Sequence, residues 1–155
     1  RIINQKIRER EIDKRYLCIT VGTPRPPQGE VSCFLLKDEK KKQVAVYHRP
    51  VPGGKTAVTR YRTLETRGEL SLLEVELLTG RTHQIRATMA DLGCPLLGDG
   101  KYGDGQVNRR YGETRQALYS YRLTFDFPTD AGLLSYLRGR SFQVESVPFR
   151  EKYFG

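Results

Sequence analysis

Five side chains able to bind or orient an anion fall within six positions, Arg81, Thr82, His83, Gln84 and Arg86, with Ile85 among them. They follow Leu70 to Leu78, a run of strand-forming residues, and precede Met89 and Leu92 at helical spacing from Ile85. A strand-to-helix junction gathers backbone N–H groups and the positive end of the helix dipole, which suits a phosphate or a carboxylate. Thr82 stands four residues and His83 three residues before Arg86, so these side chains leave adjacent rows of one helix. The plain alternative for Arg86 is a structural ion pair. Surface pairs contribute little, however, and buried ones are costly to maintain. His83 taken alone is a local hydrogen-bonding residue; its cationic neighbours raise the competing reading of a nucleic-acid contact. Tyr16 alternates with Cys18 on a predicted strand, a pattern that by itself describes a core residue.

Two glycine-rich segments invite a nucleotide-binding reading and fail it. Gly98 to Gly103 spells G-x-G-x-x-G, but it follows a helix and a proline-containing loop instead of opening a helix after a strand. Its glycines are expected to make tight turns, with Asp99 a structural turn carboxylate. Gly53-Gly54-Lys55-Thr56 imitates the end of a phosphate-binding loop, yet Arg49 occupies the place of the first glycine. Two isolated histidines, His48 and His83, are too few for a catalytic metal centre. Cys18, Cys33 and Cys94 are odd in number and widely spaced, which predicts reduced, buried thiols in a cytoplasmic protein.

The elements that must position these residues read mostly as strands. They are Arg15 to Gly22, Val31 to Leu36, Gln43 to His48, Thr56 to Thr66, Leu70 to Leu78, Leu118 to Phe127 and a last piece at Ser141 to Val144. Thr23 to Gly29 holds three prolines and predicts an extended loop. Gly68 predicts a hairpin between the fourth and fifth strands. In the fifth strand the apolar set changes from Leu70 and Leu72 to Leu73, Val75 and Leu77, which predicts a bulge or burial of both faces. Helices are expected over Thr82 to Leu92, closed by Gly93 and Pro95, and over Ala131 to Arg138. Arg1 to Arg10 reads as a helix tail or charged linker. The result is an α+β fold with a mainly antiparallel mixed sheet and few helices, one domain over residues 1–155.

Charge is distributed unevenly. Arg1 to Gly68 carries 16 basic and 7 acidic side chains, whereas Glu69 to Gly155 carries 11 of each. The whole excess of +9 therefore lies in the first half, a one-sided footprint suited to RNA or another polyanion. No apolar run is long enough for a membrane helix.

Thr79 to Arg86, Leu92 to Asp99 and Lys101 to Gly103 together resemble the signature of the RluA-like RNA pseudouridine synthases, G-R-T-H-Q-I-R, L-G-x-P-x-x-G-D and K-Y-G. Lys14-Arg15-Tyr16-Leu17-Cys18 is similar to that family's K-R-Y-x-A/C strand, and the resemblance runs from about Arg8 to Phe149. It implies a pseudouridine synthase catalytic-domain fold and isomerisation of uridine in RNA without metal or organic cofactor. It also implies roles. Arg86 would ion-pair with a catalytic aspartate, and Tyr16 would pack against the target uracil. Lys14, Arg81, Thr82, His83 and Gln84 would contact RNA. Thr88 departs from the family, where many members have histidine. The family's aspartate belongs to a His-Arg-Leu-Asp segment, and no such segment occurs in this chain. Arg86 is therefore expected to lack its partner here. The chain is expected to be the C-terminal portion of a catalytic domain, inactive alone, with an exposed sheet edge open to self-association. Gln116 to Phe149 looks closest to the RluC/RluD-like subgroup acting on large-subunit ribosomal RNA. The competing reading is a non-catalytic RNA-binding module of the same fold.

Overall fold

The computed structural model describes residues 12–125, 141–143 and 147–155. Its strands are β1 (Ile12–Val21), β2 (Gln28–Asp38), β3 (Gln43–Tyr47), β4 (Lys55–Arg67), β5 (Leu70–Leu77), β6 (Leu118–Phe125) and β7 (Ser141–Gln143). Its helices are α1 (Gln84–Asp91), α2 (Gly105–Tyr111) and α3 (Pro148–Phe154). The strands form one sheet in the order β3-β2-β4-β5-β1-β6-β7. Every ladder among them is antiparallel, which gives the α+β class expected from the sequence. The expected elements at Arg1 to Arg10 and Ala131 to Arg138 lie outside the described residues.

Gly68 and Glu69 form the two-residue turn between β4 and β5, with Gly68 at φ 60°. A positive φ at the first central position matches the right-handed twist of the strands, and glycine reaches it without steric cost.

The change of apolar set along β5 has a clear cause. Leu70 and Leu72 face one side of the sheet, against Leu17, Ile19, Val107 and Phe154 of the flanking strands and helices α2 and α3. Leu73 and Val75 face the other side, against Ile85 and Met89 of α1. Leu70 to Val75 are buried on both faces, while Glu74 and Glu76 extend the first face into a polar region. There is also a bulge, but on the partner strand. The register passes from Thr63 opposite Leu73 to Glu65 opposite Leu72, leaving Leu64 unpaired and 41% exposed.

Helix α1 lies across the second face because Ile85 and Met89 share its inner side. Burying two such side chains contributes roughly 1.5–3 kcal/mol each, enough to fix where the helix's outward residues point. The helix starts at Gln84, two residues later than expected, because His83 takes a left-handed conformation at φ 55°. Helices α2 and α3 were not anticipated. Asp104 caps α2 by accepting from the backbone N–H of Gln106 and Val107. Pro148 opens α3, where its missing N–H costs nothing.

Candidate active site

The junction ahead of α1 is held by Gln84. Its Nε2 donates to the Val58 carbonyl at 3.0 Å and to Thr59 Oγ1 at 2.9 Å. Its Oε1 accepts from Thr79 Oγ1 at 2.8 Å and from the Arg81 backbone N–H at 3.0 Å. Both donors and both acceptor directions of the amide are thereby satisfied within the protein, and the residue is 2% exposed. Gln84, expected to contact RNA, is the pin that fixes the loop, and it also borders the cavity described below.

That loop sets the neighbouring side chains. Arg81 Nε donates to the Thr56 carbonyl at 2.8 Å, anchoring the guanidinium at the start of β4. His83 Nδ1 lies 2.9 Å from the Tyr102 hydroxyl, and the two rings meet edge-on at 5.6 Å. Burial holds His83 below its ordinary pKa, and the cations Arg86, Lys101 and Lys37 push the same way. The same Tyr102 hydroxyl accepts the Val44 backbone N–H at 2.8 Å, tying the helix start to β3.

Arg86 pairs with a carboxylate from the turn after α1. Its Nε donates to Asp99 Oδ2 at 2.9 Å and its Nη2 to Asp99 Oδ1 at 2.8 Å. The catalytic-segment aspartate that the resemblance implies is absent from the sequence, and the carboxylate that meets Arg86 is Asp99, correctly read as a turn carboxylate, which serves two purposes. Oδ1 also accepts the backbone N–H groups of Lys101 and Tyr102, and the second oxygen turns toward α1. The Asp99 side chain is 0% exposed and that of Arg86 12%. Burial opposes ionisation of Asp99, but the bond from Arg86 and the two backbone donors outweigh it, and the carboxyl sits below its ordinary value. The Arg86 guanidinium also lies 5.2 Å from the centre of the Tyr102 ring. Asp99 and Tyr102 are therefore the residues of this site that the motif reading missed. Their proximity to Arg86 depends on a turn 13 residues further along the chain, which periodicity does not reveal.

Tyr16 reaches the same place from β1. The β1–β6 register slips between Arg15 and Tyr16, opposite Arg122 and Ser120, so that Tyr121 is the extra residue. Such an irregularity re-aims side chains. Tyr16 is half-buried beside Lys14, whose ammonium lies 5.3 Å from the ring centre. Tyr16, Arg81, His83 and Arg86 line one cavity of about 360 Å³, with Leu77, Ile85 and Leu118 as apolar wall. Thr82 is exposed and lines an adjacent hollow instead.

A larger hollow of about 490 Å³ lies on the opposite sheet face. Its charges are already matched to one another. Arg15 and Arg62 reach Glu74 at 3.0 and 3.1 Å, and Arg60 bridges Glu30 and Glu76 at 2.9 and 3.1 Å. A self-neutralised network of this kind has little to offer a polyanion. Among the described residues no three His, Cys, Asp or Glu side chains converge as metal ligands would.

The antiparallel sheet with α1 laid across one face is similar to the fold of solved pseudouridylate synthase domains. Among solved structures, the human RNA pseudouridylate synthase domain containing 4 superposes with a TM-score of 0.63 at 26% identity, over 78% of this chain and 56% of that one. The human domain containing 1 superposes with a TM-score of 0.66 over 96% of this chain and 67% of that one, at 22% identity, and supports the fold alone. The chain belongs to the RNA pseudouridylate synthase family, whose sequence profile matches residues 1–91. Relatives include the Bacillus subtilis protein named uncharacterized RNA pseudouridine synthase YhcT, 38% identical over 124 residues, which are 79% of this chain and 39% of that protein. RNA pseudouridine synthase 2, chloroplastic, of Arabidopsis thaliana is 41% identical over 97 residues, 59% of this chain and 23% of that protein. The chain thus spans about two fifths or less of the length of these curated relatives.

Proposed function

We infer that this chain supplies the Arg86 and Tyr16 side of an RNA pseudouridine synthase active site. The reaction is an isomerisation. The bond between C1′ and uracil N1 breaks, the base turns, C5 bonds to C1′, and the proton lost from C5 is balanced by one gained at N1. It consumes no cofactor or metal.

One observation carries the reading: Arg86 and Tyr16 line the same cavity, and the guanidinium is clamped with one direction still open. Nε and Nη2 are engaged by Asp99, whereas Nη1 donates to no group among the described residues. A second carboxylate arriving at Nη1 would be oriented against the sugar of an extruded uridine. The chain has no His-Arg-Leu-Asp segment, so that acid comes from outside these 155 residues. Tyr16 supplies an aromatic face for the uracil, worth roughly 1–3 kcal/mol, and a phenol placed for the C5 proton. That offsets part of the few kcal/mol needed to flip the nucleotide. Lys14, Arg81, Thr82 and His83 supply RNA contacts around it. The substrate is large-subunit ribosomal RNA, met in the cytoplasm.

Release of tritium from RNA labelled at uridine C5 tests the assignment. The 155-residue chain alone releases none. Joined to an upstream His-Arg-Leu-Asp segment it releases tritium, and Arg86→Lys lowers that rate by about a hundredfold, the cost of a small misplacement of a reacting group. Release by the chain alone overturns the external acid. RNA binding with no turnover in the joined protein makes the chain a non-catalytic RNA-binding module.

A further inference from the structure

The geometry points to a phosphodiester-binding subsite in the hollow formed by Lys37, Lys55, Arg81 and Thr82, which holds the RNA backbone beside the nucleotide bound at Tyr16 and Arg86. This subsite presupposes the RNA substrate proposed above and adds to it a second hollow, in which Lys37 and Lys55 join Arg81 and Thr82.

The hollow has a volume of about 170 Å³ and a floor made by Leu35 and Val44, which are 4% and 9% exposed. Strand pairing places its cations on the sheet face that carries α1. Lys55 is directly opposite Leu35 across the β2–β4 ladder, and Lys37 lies two residues beyond Leu35 along β2. Directly paired residues, and residues two apart on a strand, share a face. Both ammonium groups therefore project toward the side occupied by Tyr16 and not toward the neutralised network behind the sheet.

The two hollows share a wall. Arg81 lines both, and its guanidinium is fixed there by the Thr56 carbonyl at 2.8 Å. Adjacent nucleotides of a strand are likewise joined through one phosphate, so a base on one side of Arg81 places a linkage on the other. Charge favours that occupant. Neither Lys55 nor Arg81 has a carboxylate partner among the described residues, and Lys37 meets only Glu39 at 3.8 Å. The Lys37 and Glu39 side chains are 59% and 81% exposed, so that pair is screened and weak. Gly53 and Gly80 line the rim without side chains, which leaves room for a strand to pass. The field of Lys37 also reaches His83 in the neighbouring cavity, where it helps hold the imidazole neutral.

Binding of a labelled, uridine-containing RNA stem-loop to the 155-residue chain is measured across a salt series, for the native chain and for the double variant Lys37→Ala/Lys55→Ala. Both lysines are exposed, and an unchanged thermal melt verifies the fold. The expected result is weaker binding by the variant. Its plot of log affinity against log salt is shallower by about 0.7–0.9 for each phosphate that the lysines no longer neutralise. A second arm replaces single linkages flanking the uridine by neutral methylphosphonates. One replacement weakens the native chain but leaves the double variant unaffected, which identifies the linkage that the lysines hold. RNA binding with the same salt slope in both proteins, or equal methylphosphonate penalties in both, overturns the subsite while leaving the RNA substrate standing. Failure of the native chain to bind RNA overturns both.

Discussion

Arg86 meets Asp99 side-on, with Nε on one carboxylate oxygen at 2.9 Å and Nη2 on the other at 2.8 Å, across 13 residues of chain. The contact uses one edge of the guanidinium and fixes the direction of the rest. The Asp99 side chain is wholly removed from water and that of Arg86 is 12% exposed, so water offers little in exchange for the pair. Asp99→Asn keeps the shape but leaves a buried cation uncompensated. It is expected to cost about 3–5 kcal/mol of folding free energy, read from urea unfolding at neutral pH. A loss below about 1 kcal/mol, the range of an exposed pair, would show that the pair is not what holds the helix to the turn.

The same pair gives a pH dependence of definite sign. Asp99 is held below its ordinary value of 3.8 in the folded protein, so the unfolded chain takes up its proton first as the pH falls. Its contribution is fully present above pH 3.8 and is lost as the pH drops through the lower folded value. The stability gap between the native chain and Asp99→Asn should therefore narrow below about pH 4. A gap that stays constant across acid titration would mean that Asp99 is not ionised in the folded state.

How much of this was legible beforehand depends on the range of the interaction. Strand periodicity located β1 to β6, and the motif around Arg81 to Arg86 located the arginine, because both are signals within a few residues. The double apolar set of β5 was visible, but which face each half served was not, since that depends on where α1, α2 and α3 pack. The pinning role of Gln84 was hidden for a related reason: its four hydrogen bonds go to Val58, Thr59, Thr79 and Arg81, two of them, to Val58 and Thr59, set by the meeting of β4 with the loop. Asp99 was recognised as a turn residue, and its local bonds to Lys101 and Tyr102 bear that out. Its second role needed the turn to be folded back against α1. Helices α2 and α3 are seven residues each and have too few turns to show a period.

The three cysteines behave as the sequence suggested. All are free and buried, and burial pushes the Cys18 thiol up to about 12. Thiolate is the reactive form, so none should react appreciably with a disulfide reagent at neutral pH in the folded protein. Thiol release is expected only as denaturant unfolds the sheet. Stoichiometric labelling of any of them under native conditions would contradict the packing of β1, β2 or the Gly93 loop.

The turn carrying Asp99 makes the most demanding prediction about the site. Gly98 has φ +84°, and a Cβ there would lie 1.9 Å from the Arg115 carbonyl oxygen. Its N–H donates to Asn108 Oδ1 at 2.7 Å, while Asn108 Nδ2 donates back to the Asp99 carbonyl at 3.1 Å. Backbone on both sides of the glycine is thus fixed, and the clash cannot be relieved by rotating a side chain. Gly98→Ala must combine a left-handed conformation, about 1–3 kcal/mol, with overpacking of similar size. A loss on the order of 3 kcal/mol is expected in urea unfolding. The displaced turn should also loosen Arg86, so that the NMR signal of its Nε–H exchanges with solvent faster than in the native chain. If stability falls while that exchange is unchanged, the clamp on Arg86 does not depend on the turn, and the coupling between Gly98 and the site is wrong.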